Sequence, residues 1–278
     1  FLFGESRAAQ ELRERAMALS RTLPLLLVLG PSGSGKNTLA RWLHLMSPAA
    51  AGPLVVLDPN TLSASLLENE LFGHAQGGYT GAADPKPGLL EQARGGTLVL
   101  DHLPDWSPRL QKLLAGFLET RLVRPVGSVT WKKVNCRLIV LSRESPDHLL
   151  AARVLEEGCY YRLPAERLVL PPLKNRREDL AELWRHFTRL DPSSELLALL
   201  GRHDFPGNLR ELKQWAEHFR LAGTLPESAT VSPVRSGQAS LTAEAIQTAI
   251  ALNGGNRTKA AEQLGITRGK LYRMLANH

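Results

Sequence analysis

The 278-residue sequence is short of cysteine, of long apolar runs and of internal repetition, and each shortage removes a class of protein. Only two cysteines occur, Cys136 and Cys159, both in apolar or aromatic surroundings. A disulfide framework is therefore excluded, and free thiols in a reducing cytosol are expected. No apolar run reaches roughly eighteen residues, the length a membrane span needs. The longest, Leu23 to Leu29, suits a buried strand. The opening Phe-Leu-Phe-Gly-Glu-Ser lacks the charged-then-apolar layout of a signal peptide, so a cytoplasmic protein without a membrane partner is expected.

What is present is an ordinary globular composition, 43% hydrophobic and 22% charged. The length allows one sizeable core and a small second domain. The net charge of +7 is unevenly placed. Residues 256–278 hold Arg257, Lys259, Arg268, Lys270 and Arg273 against Glu262 alone, a net +4. That concentration suits a phosphate backbone, although a merely soluble basic face has the same charge.

Five apolar runs alternate with helical patterns: Leu25–Leu29, Leu54–Leu57, Thr97–Leu100, Cys136–Leu141 and Arg167–Leu170. Near-continuous apolar strands predict a parallel sheet covered on both faces. Chemistry in such sheets gathers at the carboxyl ends of the strands, where Gly30, Asp58, Asp101 and Ser142 fall. After Pro171-Pro172 the strands stop, and residues 177–190, 193–203 and 208–222 read as amphipathic helices, the last ending before Gly223. Residues 224–239 form a Pro/Ser/Thr-rich linker, and an all-helical unit follows it. The expected domains are an α/β part over 1–172, a helical part over 173–223, the linker over 224–239, and a small all-helical domain over 240–278.

Gly30-Pro-Ser32-Gly33-Ser34-Gly35-Lys36-Asn37-Thr38 follows a strand and opens a helix. In that setting glycines let backbone N–H groups turn toward phosphate oxygens, the helix N-terminus adds partial positive charge, and Lys36 adds a full one. The strict pattern places Ser or Thr directly after the lysine to hold magnesium. Here Asn37 stands there, and Thr38 comes one later. A bound ATP or related nucleotide is the expectation, with magnesium arriving on it through Asp101 and Thr38. His102 beside Asp101 lacks further ligands in register, so no metal site of the protein's own is expected.

Further segments resemble one family. Residues 70–82, Glu-Leu-Phe-Gly-His-Ala-Gln-Gly-Gly-Tyr-Thr-Gly-Ala, resemble the signature of sigma-54-dependent enhancer-binding transcription regulators. Gly95-Gly-Thr-Leu-Val-Leu-Asp101 is similar to their second nucleotide motif, and Phe205-Pro-Gly-Asn-Leu-Arg210-Glu-Leu to their sensor II segment. Gly255-Asn-Arg-Thr-Lys-Ala-Ala-Glu-Gln-Leu-Gly-Ile-Thr-Arg268 resembles their Fis-type DNA-binding helix-turn-helix. The resemblance implies an AAA+ P-loop fold, and homo-oligomers from dimer to ring. Its partners would be double-stranded DNA and sigma-54 RNA polymerase. The loop Gly77-Gly78-Tyr79-Thr80-Gly81-Ala82 would touch the sigma factor, with Gly78 and Tyr79 in place of the usual Ala and Phe.

The same resemblance marks departures around the γ-phosphate. The magnesium aspartate corresponds to Asp101, but the catalytic glutamate corresponds to His102 and its asparagine partner to Asp58. Arg143 stands at the sensor I asparagine, and Glu156 at the first arginine finger, a charge reversal. Arg162 and the sensor II Arg210 remain. Loss of a general base or an arginine finger each costs roughly 10²-fold to 10⁵-fold in rate. The expectation is a nucleotide-binding regulator with impaired hydrolysis; the alternative is a fully active ATP-driven remodeller, favoured by the near-intact Gly77–Ala82 loop.

At the C-terminus, Gly265 permits a tight turn and Thr267 can cap a helix carrying Arg268, Lys270, Tyr272 and Arg273. Arg268, Gly269 and Lys270 would lie nearest the base edges in the major groove, and Arg257, Thr258 and Lys259 would contact phosphate.

Overall fold

The computed structural model describes residues 4–59, 64–76 and 84–226, and in it all five apolar runs are strands of one sheet. They are β1 (Leu25–Leu29), β2 (Leu54–Leu57), β3 (Thr97–Leu100), β4 (Arg137–Ser142) and β5 (Arg167–Val169). All neighbours run parallel in the order β2-β3-β4-β1-β5. Leu25 pairs with Leu138 and Thr97 with Arg137, so β1, β3 and β4 begin level with one another. The strand ends fall within a residue of the apolar runs, the usual scatter at termini.

The strands are apolar throughout because alternate side chains serve opposite faces. Leu27, Leu29, Leu98, Leu100, Leu138 and Val140 pack on one face with Leu110, Leu114 and Phe117 of helix α3 (Pro108–Thr120). Leu26, Val28, Val99, Ile139 and Leu141 pack on the other, with Leu12 and Ala16 of α1 (Arg7–Thr22) and Leu39 and Leu43 of α2 (Lys36–Leu45). Each such leucine, fully buried, contributes roughly 1.5–3 kcal/mol. A polar residue introduced in the interior of β1, β3 or β4 would therefore be felt on one core or the other.

Three helices form the lid: α4 (Leu180–Thr188), α5 (Ser194–Arg202) and α6 (Asn208–Ala222). Trp184, Phe205 and Trp215 fill their core. Gly223 ends α6 at φ +73°, the left-handed cap expected of it. The first helix begins at Leu180 and not 177, because a 3-10 turn over Arg177–Asp179 precedes it. That turn buries the Asp179 carboxylate, which accepts from the Ser6 amide at 2.7 Å and the Ser6 hydroxyl at 2.9 Å.

The chain divides into two units, Phe1–Pro226 and Glu227–His278. The loop Gly77–Ala82 and the expected DNA-binding residues Arg257, Thr258, Lys259, Arg268, Gly269, Lys270, Tyr272 and Arg273 lie outside the described residues. No helix among the described residues is long and apolar enough to cross a membrane.

Candidate nucleotide site

A cleft of about 320 Å³ opens where the carboxyl ends of the strands meet the lid. From the glycine-rich loop after β1 it is lined by Ser32, Gly33, Gly35, Lys36 and Asn37. Asp58 enters from the end of β2, Asp101 and His102 from the end of β3, Arg143 from the end of β4, and Arg210 from α6. Level starts and similar lengths bring these strand ends together, as an open parallel sheet dictates. Gly30, Ser34 and Thr38 do not line the cleft: Ser34 is buried, and Thr38 is exposed on α2.

The loop is held from the lid side. Three successive carbonyls accept from beyond Pro172: Ser32 from the Asn208 side-chain amide at 2.9 Å, Gly33 from the Leu209 amide at 3.0 Å, and Ser34 from Arg176 at 3.1 Å. Arg210 adds a bond from Nη1 to the Ser32 hydroxyl at 3.2 Å. The fit is close. A Cβ at Gly33 would collide with the Gly207 carbonyl oxygen, and the φ of +73° there already favours glycine. Asn208 itself has φ +53°, a left-handed conformation that asparagine tolerates better than most residues.

Lys36 folds back so that Nζ donates to the carbonyls of Gly30 at 2.8 Å and Pro31 at 3.2 Å. Burial pulls its ammonium below the ordinary lysine value; Asp101 opposes the shift, and Arg210 and Arg143 add to it. Lys36, Arg143 and Arg210 share the cleft with Asp58, Asp101 and Asp105, and at the loop, where Lys36 and Arg210 lie, an anion is the natural countercharge.

Asp101 is buried and bonded on both oxygens: Oδ1 accepts from the His102 amide at 2.8 Å and Oδ2 from the Asn37 side-chain amide at 3.1 Å. Its carbonyl accepts from Trp106 Nε1 at 2.8 Å, which fixes the strand end. Asn37 thus bonds to the carboxylate directly from the position after the lysine, where the strict pattern has a hydroxyl. A magnesium ion on Asp101 would have to take the oxygen that Asn37 holds, and Thr38 does not line the cleft.

His102 takes a left-handed backbone, φ +54°. Its Nδ1 is buried 3.4 Å from Asp101 Oδ1 and 3.5 Å from Asp58 Oδ1, without hydrogen-bond geometry to either. The side chain is 40% exposed, so Nε2 is the nitrogen that can meet water. Arg162 does not line the cleft; it pairs with Glu119 and donates to the Gly158 carbonyl at 2.7 Å. Glu156 is tied to the segment after β3 through Gln111, whose Oε1 accepts from the Glu156 amide at 2.8 Å while Nε2 donates to Trp106 O at 2.9 Å. No cluster of three or more metal-ligating side chains occurs among the described residues.

Sequence reasoning missed Arg176, Asp105 and Pro104. Arg176 sits in the run Lys174-Asn-Arg-Arg177, where nothing in spacing separates a buried clamp from a solvated base. Asp105 lines the cleft because the turn Leu103–Asp105 folds back on itself, its amide donating to His102 O at 2.8 Å.

A five-stranded parallel sheet with a glycine-rich loop after β1, one of its inner strands, and a helical lid over it defines an AAA+ P-loop nucleotide-binding fold. The sigma-54 interaction domain matches residues 2–169, and the bacterial regulatory protein, Fis family, domain matches residues 241–277. The chain belongs to the sigma-54 interaction domain family of transcription regulators, with a DNA-binding helix-turn-helix at its C-terminus. It is 35% identical to the transcriptional regulatory protein ZraR of Salmonella typhimurium, the match covering 99% of this chain and 68% of that regulator. It is 34% identical to the C4-dicarboxylate transport transcriptional regulatory protein DctD of Pseudomonas aeruginosa, covering 100% of this chain and 64% of that one. Among solved structures, NtrX from Brucella abortus in complex with ATP superposes with a TM-score of 0.73 at 28% identity, covering 99% of this chain and 68% of NtrX.

Proposed function

We propose that this regulator binds ATP or a related nucleotide in the cleft beneath the lid and hydrolyses it poorly or not at all. Lys36 supports the binding half: its two carbonyl partners are groups that a phosphate oxygen would replace. The amides of Gly33 and Gly35, the start of α2 and Arg210 would complete the phosphate cradle. NtrX, its structural relative, is described in complex with ATP and with ADP. Magnesium would come with the nucleotide and rest on Asp101, screening phosphate charge.

The observation that carries the second half is His102, with Nδ1 turned onto Asp58 and Asp101. No carboxylate follows Asp101, Arg143 brings a cation to the end of β4, and Glu156 stands where the family's first finger arginine would act. Arg162 would then be the remaining finger, offered to a neighbouring subunit in a dimer or ring. Residues 240–278 would hold double-stranded DNA, with Arg268, Gly269, Lys270, Tyr272 and Arg273 toward the groove and Arg257, Thr258 and Lys259 on phosphate. Gly77–Ala82 would contact sigma-54 RNA polymerase.

Binding of a fluorescent ATP analogue, followed together with phosphate release, tests this. Saturable binding with turnover far below about one per second is expected, since typical enzymes run at roughly 1–10³ per second. Turnover at or above that rate refutes impaired hydrolysis and supports an active remodeller.

The Asp58–His102 contact favours one second reading, in which Asp58 orients the imidazole and Nε2 acts as a weak general base. Asp58→Asn would then lower a residual rate about tenfold or more. An unchanged rate removes this reading.

A further inference from the structure

The opposite edge of the sheet holds a second cavity, of about 550 Å³, within the roughly 300–1,000 Å³ usual for small-molecule sites. It lies at the amino ends of β1, β3 and β4, lined in part by Arg21, Pro24, Gly96, Arg121, Asn135 and Arg137. Strands of four to six residues separate it from the nucleotide cleft by roughly 15–20 Å. The two are distinct sites.

Three of the lining residues are arginines, and no acidic residue lines the cavity among the described residues. Arg137 is only 7% exposed, and burial pulls its guanidinium down to about 10. It donates to the carbonyls of Leu43 at 2.8 Å and Leu19 at 3.5 Å, in the last turns of α2 and α1, while Nε has no hydrogen-bond partner. Helix ends supply only about half a charge each, so no full countercharge meets this buried cation. Arg121 likewise donates to a carbonyl, that of Cys136 at 3.4 Å. A buried guanidinium that no carboxylate meets among the described residues, with two further arginines lining the same cavity, suits an anion, and the cavity has room for one.

We propose that this cavity binds a small organic oxyanion carrying two or more negative charges, a phosphomonoester or a polycarboxylate. Its charged group would lie on Arg21, Arg121 and Arg137, and its body against Pro24 and Gly96. Because Arg137 holds the last turn of α2, whose first residue is Lys36, the occupant would sit at the far end of the phosphate-loop helix.

Isothermal titration of the 278-residue chain with inorganic phosphate, and in a second arm with citrate, tests the proposal. Saturable binding is expected in the parent and in Lys36→Ala, which disables the phosphate loop. Affinity should fall about tenfold or more in Arg21→Gln/Arg121→Gln and in Ala49→Trp, which narrows the cavity without touching its charge. Binding of phosphate alone assigns the phosphomonoester, and of citrate alone the polycarboxylate. Binding lost in Lys36→Ala but kept in both cavity variants overturns the proposal, because the anion then occupies the phosphate loop. Absence of saturable binding by either anion up to about 10 mM overturns it as well. If the paired arginine variant unfolds, Ala49→Trp decides.

Discussion

The junction between lid and phosphate loop rests on Asn208, and replacing it measures what that junction is worth. The side chain is buried; Nδ2 donates to Ser32 O at 2.9 Å, and Oδ1 accepts from the Leu173 amide at 2.8 Å. Leu173 is fully buried, so its orphaned N–H costs about 1–3 kcal/mol, whereas Ser32 is exposed and its carbonyl, free to take a water, costs about 0.5–1.5 kcal/mol. Asn208→Gly should therefore destabilise by about 2–4 kcal/mol. Asn208→Ala loses the same bonds and adds about 1 kcal/mol, because a Cβ without a compensating polar group is strained at φ +53°. Asn208→Asp keeps the acceptor for Leu173 but sets a carboxylate against Ser32 O, and should weaken nucleotide binding more than its stability suggests. Urea unfolding with a shared m-value gives the stabilities, and analogue titration gives the affinities. A glycine variant within about 0.5 kcal/mol of the parent, or an alanine variant more stable than the glycine one, would refute the reasoning.

Burial pushes the thiols of Cys136 and Cys159 up to about 11. Because folded values raised above the ordinary 9.0 mean that the native state holds these protons more tightly, their contribution to stability is complete below about pH 9 and is lost as pH rises through about 11. Both thiols should resist alkylation in the native protein at pH 8 and react on unfolding; fast native labelling of either contradicts its burial. In the helix-turn-helix, Arg268→Ala should relax sequence preference by about 1–3 kcal/mol, while Lys259→Ala should weaken all sequences alike and lower the salt slope by about 1. Unchanged binding in both variants would remove the DNA-contact assignment.

Much of the sheet could be read from the chain because apolar runs such as Leu25–Leu29 and Thr97–Leu100 serve two cores at once. The loop was legible for a different reason: Gly33 and Lys36 sit in a local pattern whose function is local. Asn37 against Asp101 was not legible, because their contact spans 64 positions. Nor was the clamp from Arg176, a base in a run of bases whose burial depends on where the lid docks. Thr38 shows the limit of pattern transfer. A shift of one position along a helix turns a residue by about 100°, and that turn takes the hydroxyl off the cleft.

A site proposed to bind the nucleotide without turning it over is tested most directly by one paired measurement: ATP binding and phosphate release on the same protein, with Lys36→Ala as the binding control. Saturable binding that Lys36→Ala abolishes, with release indistinguishable from that of the control, is the predicted result. Release at about one per second or faster that depends on Lys36, or no binding at all, would contradict the account.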